Sequence, residues 1–338
     1  MGHDERIGLL REIEQERGSK VLVYFTGDRL GLEAIIAADS MPFCIEHLSN
    51  MGRQDKIDLF IYSKGGITVA GYSLVNMIRE FCDSFGVIVP FKALSTATLM
   101  TLGANEIIMT KMGQLSPIDP SVMNPLCPRP SGPGVNRPVP VNVEDVKGYL
   151  ALAKEHLTLE DEDSRVRIFE LLAENVGPLV LGQVQRTSAQ IEFMAKRLLE
   201  YHMTDDAEIE SIAKSLISGR HSHDYVIGRK EAKETLGLKV IDVPDKLNEL
   251  ILRLYREYDG LLELSKPYHP ESVLGTKDAK TGRATFVRAI IESTHATHVF
   301  KTEKEVKRAL LVPPAVPEPT ESYMERVTEE RWFMDNDI

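Results

Sequence analysis

Two short segments carry groups that could do chemistry together. The first is Ser63-Lys64-Gly65-Gly66, which follows the compact apolar run IDLFIY at 57–62. Consecutive glycines after a strand let the backbone turn sharply and present bare amide N–H groups where a helix begins. Such amides can hold a negatively charged oxygen. The second is Lys92-Ala93-Leu94-Ser95-Thr96-Ala97-Thr98-Leu99, a serine between a strand-like run and a short helix of small and apolar residues. A helix N-terminus at that point supports negative charge developing on an attacking hydroxyl. Each segment also has a plainer reading: a tight strand-to-helix turn for the glycines, a helix cap for the serine. Taken together they would stand at the same edge of a parallel sheet, one donating to an oxyanion while the other attacks. That is a hydrolase layout.

The elements that must position them follow from periodicity. Residues 7–16 fit a short amphipathic helix, 21–25 a strand, and 57–62 a buried strand closed by Gly65 and Gly66. Apolar side chains at 67, 70, 74, 77, 78 and 81 predict a helix over 67–82. A strand at 87–91, a helix at 96–103 and a strand at 106–110 come next. Strands alternating with helices over short joints imply parallel pairing with right-handed crossovers, hence a layered α/β core.

Composition changes at 124–143, where six prolines (125, 128, 130, 133, 138 and 140) predict a long flap beside the site. Helical patterns resume at 143–156, 161–172, 182–202, 205–217 and 229–236. Gly237 then ends a helix ahead of a strand at 240–243. A helix at 245–264 and an antiparallel hairpin at 285–292 and 296–301 complete the pattern, with an extended tail from 311. The expected organisation is a first part of the core at 1–123, the flap at 124–143 and a helical region with the closing strand at 144–243. A helix and hairpin at 244–310 and a tail at 311–338 follow.

The chain has 338 residues, 43% hydrophobic and 27% charged, with a net charge of -11. It is long enough to bury a substantial core. The acidic balance argues against nucleic acid or an anionic membrane as partner, since both call for basic patches. The N-terminal stretch is charged from the start and no apolar run of roughly 18 residues occurs, so neither a signal peptide nor a spanning helix is expected. Cys44, Cys82 and Cys127 are odd in number and widely spaced, which fits free thiols in a cytoplasmic protein better than disulfides or a zinc site. The cluster Arg186, Lys196 and Arg197 reads as a solvated helix face.

The motifs SKGG, LSTATLMTLGANEIIM (94–109) and QLSPIDP (114–120) resemble the serine dehydrogenase proteinase family of Clp-class serine peptidases. The resemblance continues through LGQVQRTSAQIEFMAKRLL (181–199) and SHDYVIGRKEAKETLGLKV (222–240), and so spans roughly 7–243. It implies a Clp-protease/crotonase-like fold with Ser95 as nucleophile. It also implies an oxyanion hole from the amides of Gly65 (or Gly66) and Thr96. No cofactor or metal is expected.

Clp peptidases place a histidine about two dozen residues after the serine; here that place holds Asp119. Related signal peptide peptidases use a lysine about fifty residues downstream, and Lys147 lies 52 residues after Ser95. A buried lysine works as a base when desolvation lowers its pKa. His223, followed by Asp224, matches a histidine of the family pattern. The order of candidates for the base is Lys147, His223, Asp119, so that a Ser-Lys dyad is preferred to Ser-His.

The resemblance thus implies peptide-bond hydrolysis through an acyl-serine, within a homo-oligomer whose contacts use the long helices after 142. Two other readings stand beside it. One is a catalytically weak or inactive scaffold or effector regulated by a partner. The other is a crotonase-type acyl-CoA enzyme, which would need glutamate acid/bases. Glu106 falls inside a strand and no paired carboxylates flank the glycines.

Overall fold

The computed structural model describes residues 2–119, 121–129, 137–156, 161–218, 225–276, 279–311 and 320–338. The chain opens with α1 (His3–Arg17), ended by Gly18 in the left-handed conformation, and β1 (Lys20–Thr26). Next come α2 (Met41–Met51), β2 (Gln54–Tyr62), α3 (Thr68–Glu80) and β3 (Cys82–Val89). The short β4 (Lys92–Ala93) leads into α4 (Thr96–Thr101), followed by β5 (Glu106–Met109) and β6 (Gln114–Leu115).

β7 (Ser121–Val122) pairs antiparallel with β8 (Val141–Asn142), closing the proline-rich segment on itself. Then follow α5 (Val143–Ala151), α6 (Glu162–Val176), α7 (Pro178–Leu199) and α8 (Asp206–Ser218). β9 (Ile227–Gly228), α9 (Arg229–Glu234) and β10 (Val240–Ile241) return the chain to the sheet. The last elements are α10 (Asp245–Leu262), α11 (Pro270–Leu274), β11 (Thr281–Glu292), β12 (Thr297–Leu311) and β13 (Thr320–Met334).

The main sheet runs β10-β5-β3-β2-β1-β11-β12-β13. Its first five strands are parallel and its last three antiparallel. Helices cover both faces of the parallel part, which is why β1 and IDLFIY read as continuous apolar runs rather than alternating ones. The faces still alternate with period two. Leu22 and Tyr24 join Leu59, Ile61 and Val87 in a core beneath α2, α3, α4, α7 and α8. Val21, Val23 and Phe25 join Phe60 and Ile88 in a second core beneath α1 and α10.

This mixed α/β architecture, with a large, mostly parallel sheet, is the Clp-like layout expected from the motifs. A small second sheet, β4-β6-β9, sits at the carboxyl edge of the parallel strands. There Ser63 bridges Ala93, and Ala93 pairs with Leu115, so three chain segments meet above β2 and β3. The proline-rich segment is anchored by Val122, Cys127 and Val143, which pack against Val180 and Val184 of α7.

Besides short strands and the one-turn α11, the structure differs from the sequence pattern in two longer elements. α2 has no counterpart among the expected elements: its buried stripe is Cys44, His47, Leu48 and Met51, so a polar histidine holds one stripe position while apolar Met41, Phe43 and Ile45 fall off it. The C-terminal hairpin is far longer than expected and carries a third strand, β13, where an extended tail was read. β13 is mostly exposed and charged on both faces, which hides the period-two signal of a strand.

β11 zips onto β1, so this extension continues the core sheet. The junction holds a buried ion pair. Arg6 of α1 donates from Nη2 to Glu292 Oε1 at 2.9 Å, and the side chains are 2% and 0% exposed. Tyr258 of α10 and Thr297 donate to the same carboxylate at 2.5 and 2.7 Å. Glu292→Gln leaves the Arg6 charge buried without its counter-ion. The expected cost is about 3 kcal/mol of unfolding free energy, read from urea midpoints.

Candidate active site

The glycine bend is built from β2 outward. Ser63 N donates to Lys92 O at 2.9 Å and Leu94 N to Ser63 O at 3.0 Å, tying the bend to the Ser95 segment. The buried Ser63 hydroxyl accepts from Thr26 at 2.7 Å and from the Gly65 amide at 2.9 Å, and donates to Gly65 O at 3.2 Å. Beyond it, Ile36 N donates to Gly65 O at 2.9 Å and Ile67 N to Ile36 O at 2.8 Å. Those two bonds use the groups on either side of Gly66. By the alternation of extended backbone, Gly66 presents its own N–H and C=O on the opposite side. Its carbonyl there accepts the Thr96 hydroxyl at 2.7 Å. Its N–H has no hydrogen-bond partner among the described residues.

Only glycine fits at either position. Gly65 has φ 117, and a Cβ on it would lie 2.8 Å from Ser95 Cβ and 3.3 Å from Ser95 Oγ. A Cβ on Gly66 would collide with the backbone of Ile36. The bend and the serine therefore face each other across a gap that no side chain could enter.

Ser95 sits at φ 52, ψ -113, a conformation that a residue with a side chain rarely adopts. Strain of this kind costs about 1–3 kcal/mol and persists only where the surroundings fix it. Here the fixing groups are hydroxyls. Ser95 N donates to Ser116 Oγ at 2.8 Å, and Ser116 Oγ donates to Pro117 O at 2.9 Å. Ser116 N donates to Thr98 Oγ1 at 3.0 Å, and Thr98 Oγ1 to Ala93 O at 2.7 Å.

The Ser95 side chain does not cap α4. That removes the plainer reading of this serine. Its hydroxyl makes no hydrogen bond among the described residues and lines a cavity of about 440 Å³. The amide of Thr96 likewise has no partner among them.

The cavity gathers Ser95, Gly65, Gly66, Lys64 and Asp119 against a wall of Ile35, Ile67, Ile118 and Ile191. Lys64, 57% exposed, leans toward Asp28 at 3.9 Å. Burial pushes the Asp28 carboxyl up, but Lys92 and Tyr62, each at 2.7 Å, outweigh it and hold Asp28 below the usual range. Asp28 therefore stays charged.

Of the base candidates, Asp119 lines the cavity. Lys147 does not: it lies on α5, 39% exposed, with its ammonium 2.9 Å from Glu144 Oε1. His223 lies outside the described residues. Glu106 sits with Arg17 and Lys56 where β5 begins, away from the cavity edge of the sheet. Burial raises its pKa, and the two cations more than reverse the effect. Lys196 pairs with Glu192 at 2.7 Å and Arg197 with Glu200 at 2.8 Å, as a solvated face would.

Sequence reasoning included Ser63, Thr98 and Ser116 in its motifs without giving them a role, and missed Ile36. The available signal was weak: small hydroxyl residues at strand ends are common, and Ile36 acts only through its backbone.

The mostly parallel sheet, with a two-glycine bend and a strained serine at its carboxyl edge, has the mixed α/β layout of a ClpP-like fold. Residues 3–145 match the sequence model of the ClpP-like SDH-type serine proteinase family, which bears out the resemblance carried by SKGG and the Ser95 segment. The uncharacterized protein MJ0137 of Methanocaldococcus jannaschii is 27% identical over 259 residues, 75% of this chain and 79% of that protein. The uncharacterized protein MJ1495 of the same organism is 26% identical over 263 residues, 76% and 78% of the two chains. Among the described residues, no helix is long and apolar enough to cross a membrane.

Gly65→Ala must push the bend away from Ser95. We expect about 1–3 kcal/mol of destabilisation and at least a tenfold slower reaction of Ser95 with a fluorophosphonate, on the order expected when reacting groups are misplaced. Thermal unfolding and labelling kinetics check the two effects.

Proposed function

We propose that the chain is a serine peptidase that cleaves peptide bonds through an acyl-serine intermediate. The observation that carries this reading is an uncommitted Ser95 hydroxyl and the uncommitted amide of Gly66 at one cavity, with the uncommitted amide of Thr96 directly following Ser95 in the chain. Gly65's amide is engaged by Ser63, so the reading assigns the first oxyanion donor to Gly66.

Ser95 Oγ attacks the scissile carbonyl carbon, and the carbonyl oxygen, now an anion, accepts from the two amides. One such donor is worth about 10²–10³ in rate. The serine proton passes to a base and then to the leaving amine. Water next attacks the acyl-serine, releases the second product and restores the hydroxyl. Asp119 is the base candidate placed at the cavity, and this reading gives it a part in the proton transfer. Its side chain carries an interaction of its own, so the role does not depend on its being free.

The isoleucine wall suits a peptide substrate. Exposed apolar side chains on α6 and α7, such as Phe169 and Phe193, suit assembly into a homo-oligomer, and a regulatory partner is compatible with the same surfaces.

A fluorophosphonate probe is expected to label Ser95 and not Ser95→Ala, with peptide hydrolysis lost in the variant. No labelling of the wild-type chain and no cleavage of any peptide would leave the scaffold reading in its place. Asp119→Asn is expected to lower kcat/KM by about 10²–10⁴ while Ser95 stays folded in its turn. Activity equal to wild type would remove Asp119 from the proton path and return the question to His223 and Lys147.

A further inference from the structure

We propose that the C-terminal extension, β11 to β13, sets the geometry of the oxyanion bend through residues 27–39, with Arg288 as the positioning residue. This rests on the peptidase reading for its catalytic consequence, though not for its structural one. The extension lies beyond the matched family region, which ends at residue 145.

Residues 27–39 link β1 to α2 with little regular structure of their own, only a bridge at Ile36 and the start of the short turn Ala38–Ser40. A segment without its own ladder takes its shape from its neighbours. On one side the neighbours are C-terminal. Gly27 N donates to Arg288 O at 2.7 Å and Tyr268 N to Leu30 O at 3.0 Å. Arg288 Nε donates to Leu32 O at 3.1 Å, and Nη2 donates to Glu33 O. Trp332 Nε1 donates to Asp39 Oδ2 at 3.0 Å.

On the other side the neighbour is the bend. Ile36, fully buried, accepts from Ile67 and donates to Gly65 O, and Ile35 stands in the cavity wall. The segment is therefore gripped by the extension on one edge and itself grips the glycines on the other.

Arg288 is where the three strands converge. It lies on β11, donates to Thr302 Oγ1 of β12 at 3.1 Å, and pairs with Glu330 of β13 at 2.5 Å. Its remaining donors take the two successive carbonyls of residues 32 and 33. That division of labour needs the planar five-donor fork of arginine; a lysine ammonium can satisfy Glu330 but cannot span both carbonyls as well. Loss of the fork lets residues 32–36 drift, and the Gly65 carbonyl loses its fixed partner. The Gly66 amide then no longer points at one place. An error of about 1 Å in such a donor can cost as much as a hundredfold in rate.

The test uses the full chain with Arg288→Lys and, as a second grip removed independently, Trp332→Phe, which keeps an aromatic ring against Phe43 and Phe300 and loses the pyrrole ring with its N–H. Hydrogen exchange of the peptide covering residues 63–67 is read first, because it needs no activity. Exchange at least tenfold faster in both folded variants is expected, together with kcat lowered by about tenfold and KM within twofold. The affinity for a peptide aldehyde should fall by the same factor as kcat. Thermal midpoints confirm folding, and should Arg288→Lys not fold, Trp332→Phe decides alone. Unchanged exchange at 63–67 overturns the proposal. Faster exchange in a chain whose wild type never labels with fluorophosphonate upholds the brace and sinks the peptidase reading instead.

Discussion

Everything at the site depends on how closely two backbones approach. Gly65 stands so near Ser95 that even a methyl group between them is excluded, at 2.8 Å from the serine Cβ. In the proposed peptidase reading, that proximity lets the Ser95 hydroxyl and an amide donor reach the same carbonyl group. The chain secures it by placing the two turns after β2 and β3, adjacent parallel strands whose register is fixed by buried side chains on both faces.

The strain at Ser95 is confined by neutral groups. Ser116 and Thr98 hold the serine turn, while Ser63 and Thr26 hold the bend. The Thr96 hydroxyl straps the two together through Gly66 O. Buried hydroxyls suit this task because each can donate and accept at once and none brings a charge that would have to be desolvated. The buried ion pairs Arg6–Glu292, at the sheet junction, and Arg17–Asp58, beneath the strands, take no part in these hydrogen bonds. Gly71 on α3 leaves room for the Thr96 methyl, whose Cγ2 lies 2.6 Å from where a Cβ would be.

The parallel core was legible because IDLFIY, the glycine pair and the short helix after Ser95 carry local signals of burial, turning and capping. The choice between Gly65 and Gly66 as donor was not, since it turns on which amide Ser63 occupies, a contact invisible in the sequence. Lys147 was favoured by its spacing from Ser95, yet spacing along a chain does not fix direction, and its ammonium faces Glu144. Asp119, ranked last of the three, stands at the cavity because β6 pairs with β4 and carries the following loop toward Ser95. β13 was missed because a charged, two-sided edge strand has no hydrophobic alternation to read.

The measurement that bears most directly on the account is a crystal structure of the chain reacted with a peptide boronate or aldehyde. The account predicts a covalent bond to Ser95 Oγ, with the adduct oxygen about 2.7–3.1 Å from the amides of both Gly66 and Thr96. An adduct on another residue, or one whose oxygen turns away from those amides into solvent, would contradict it.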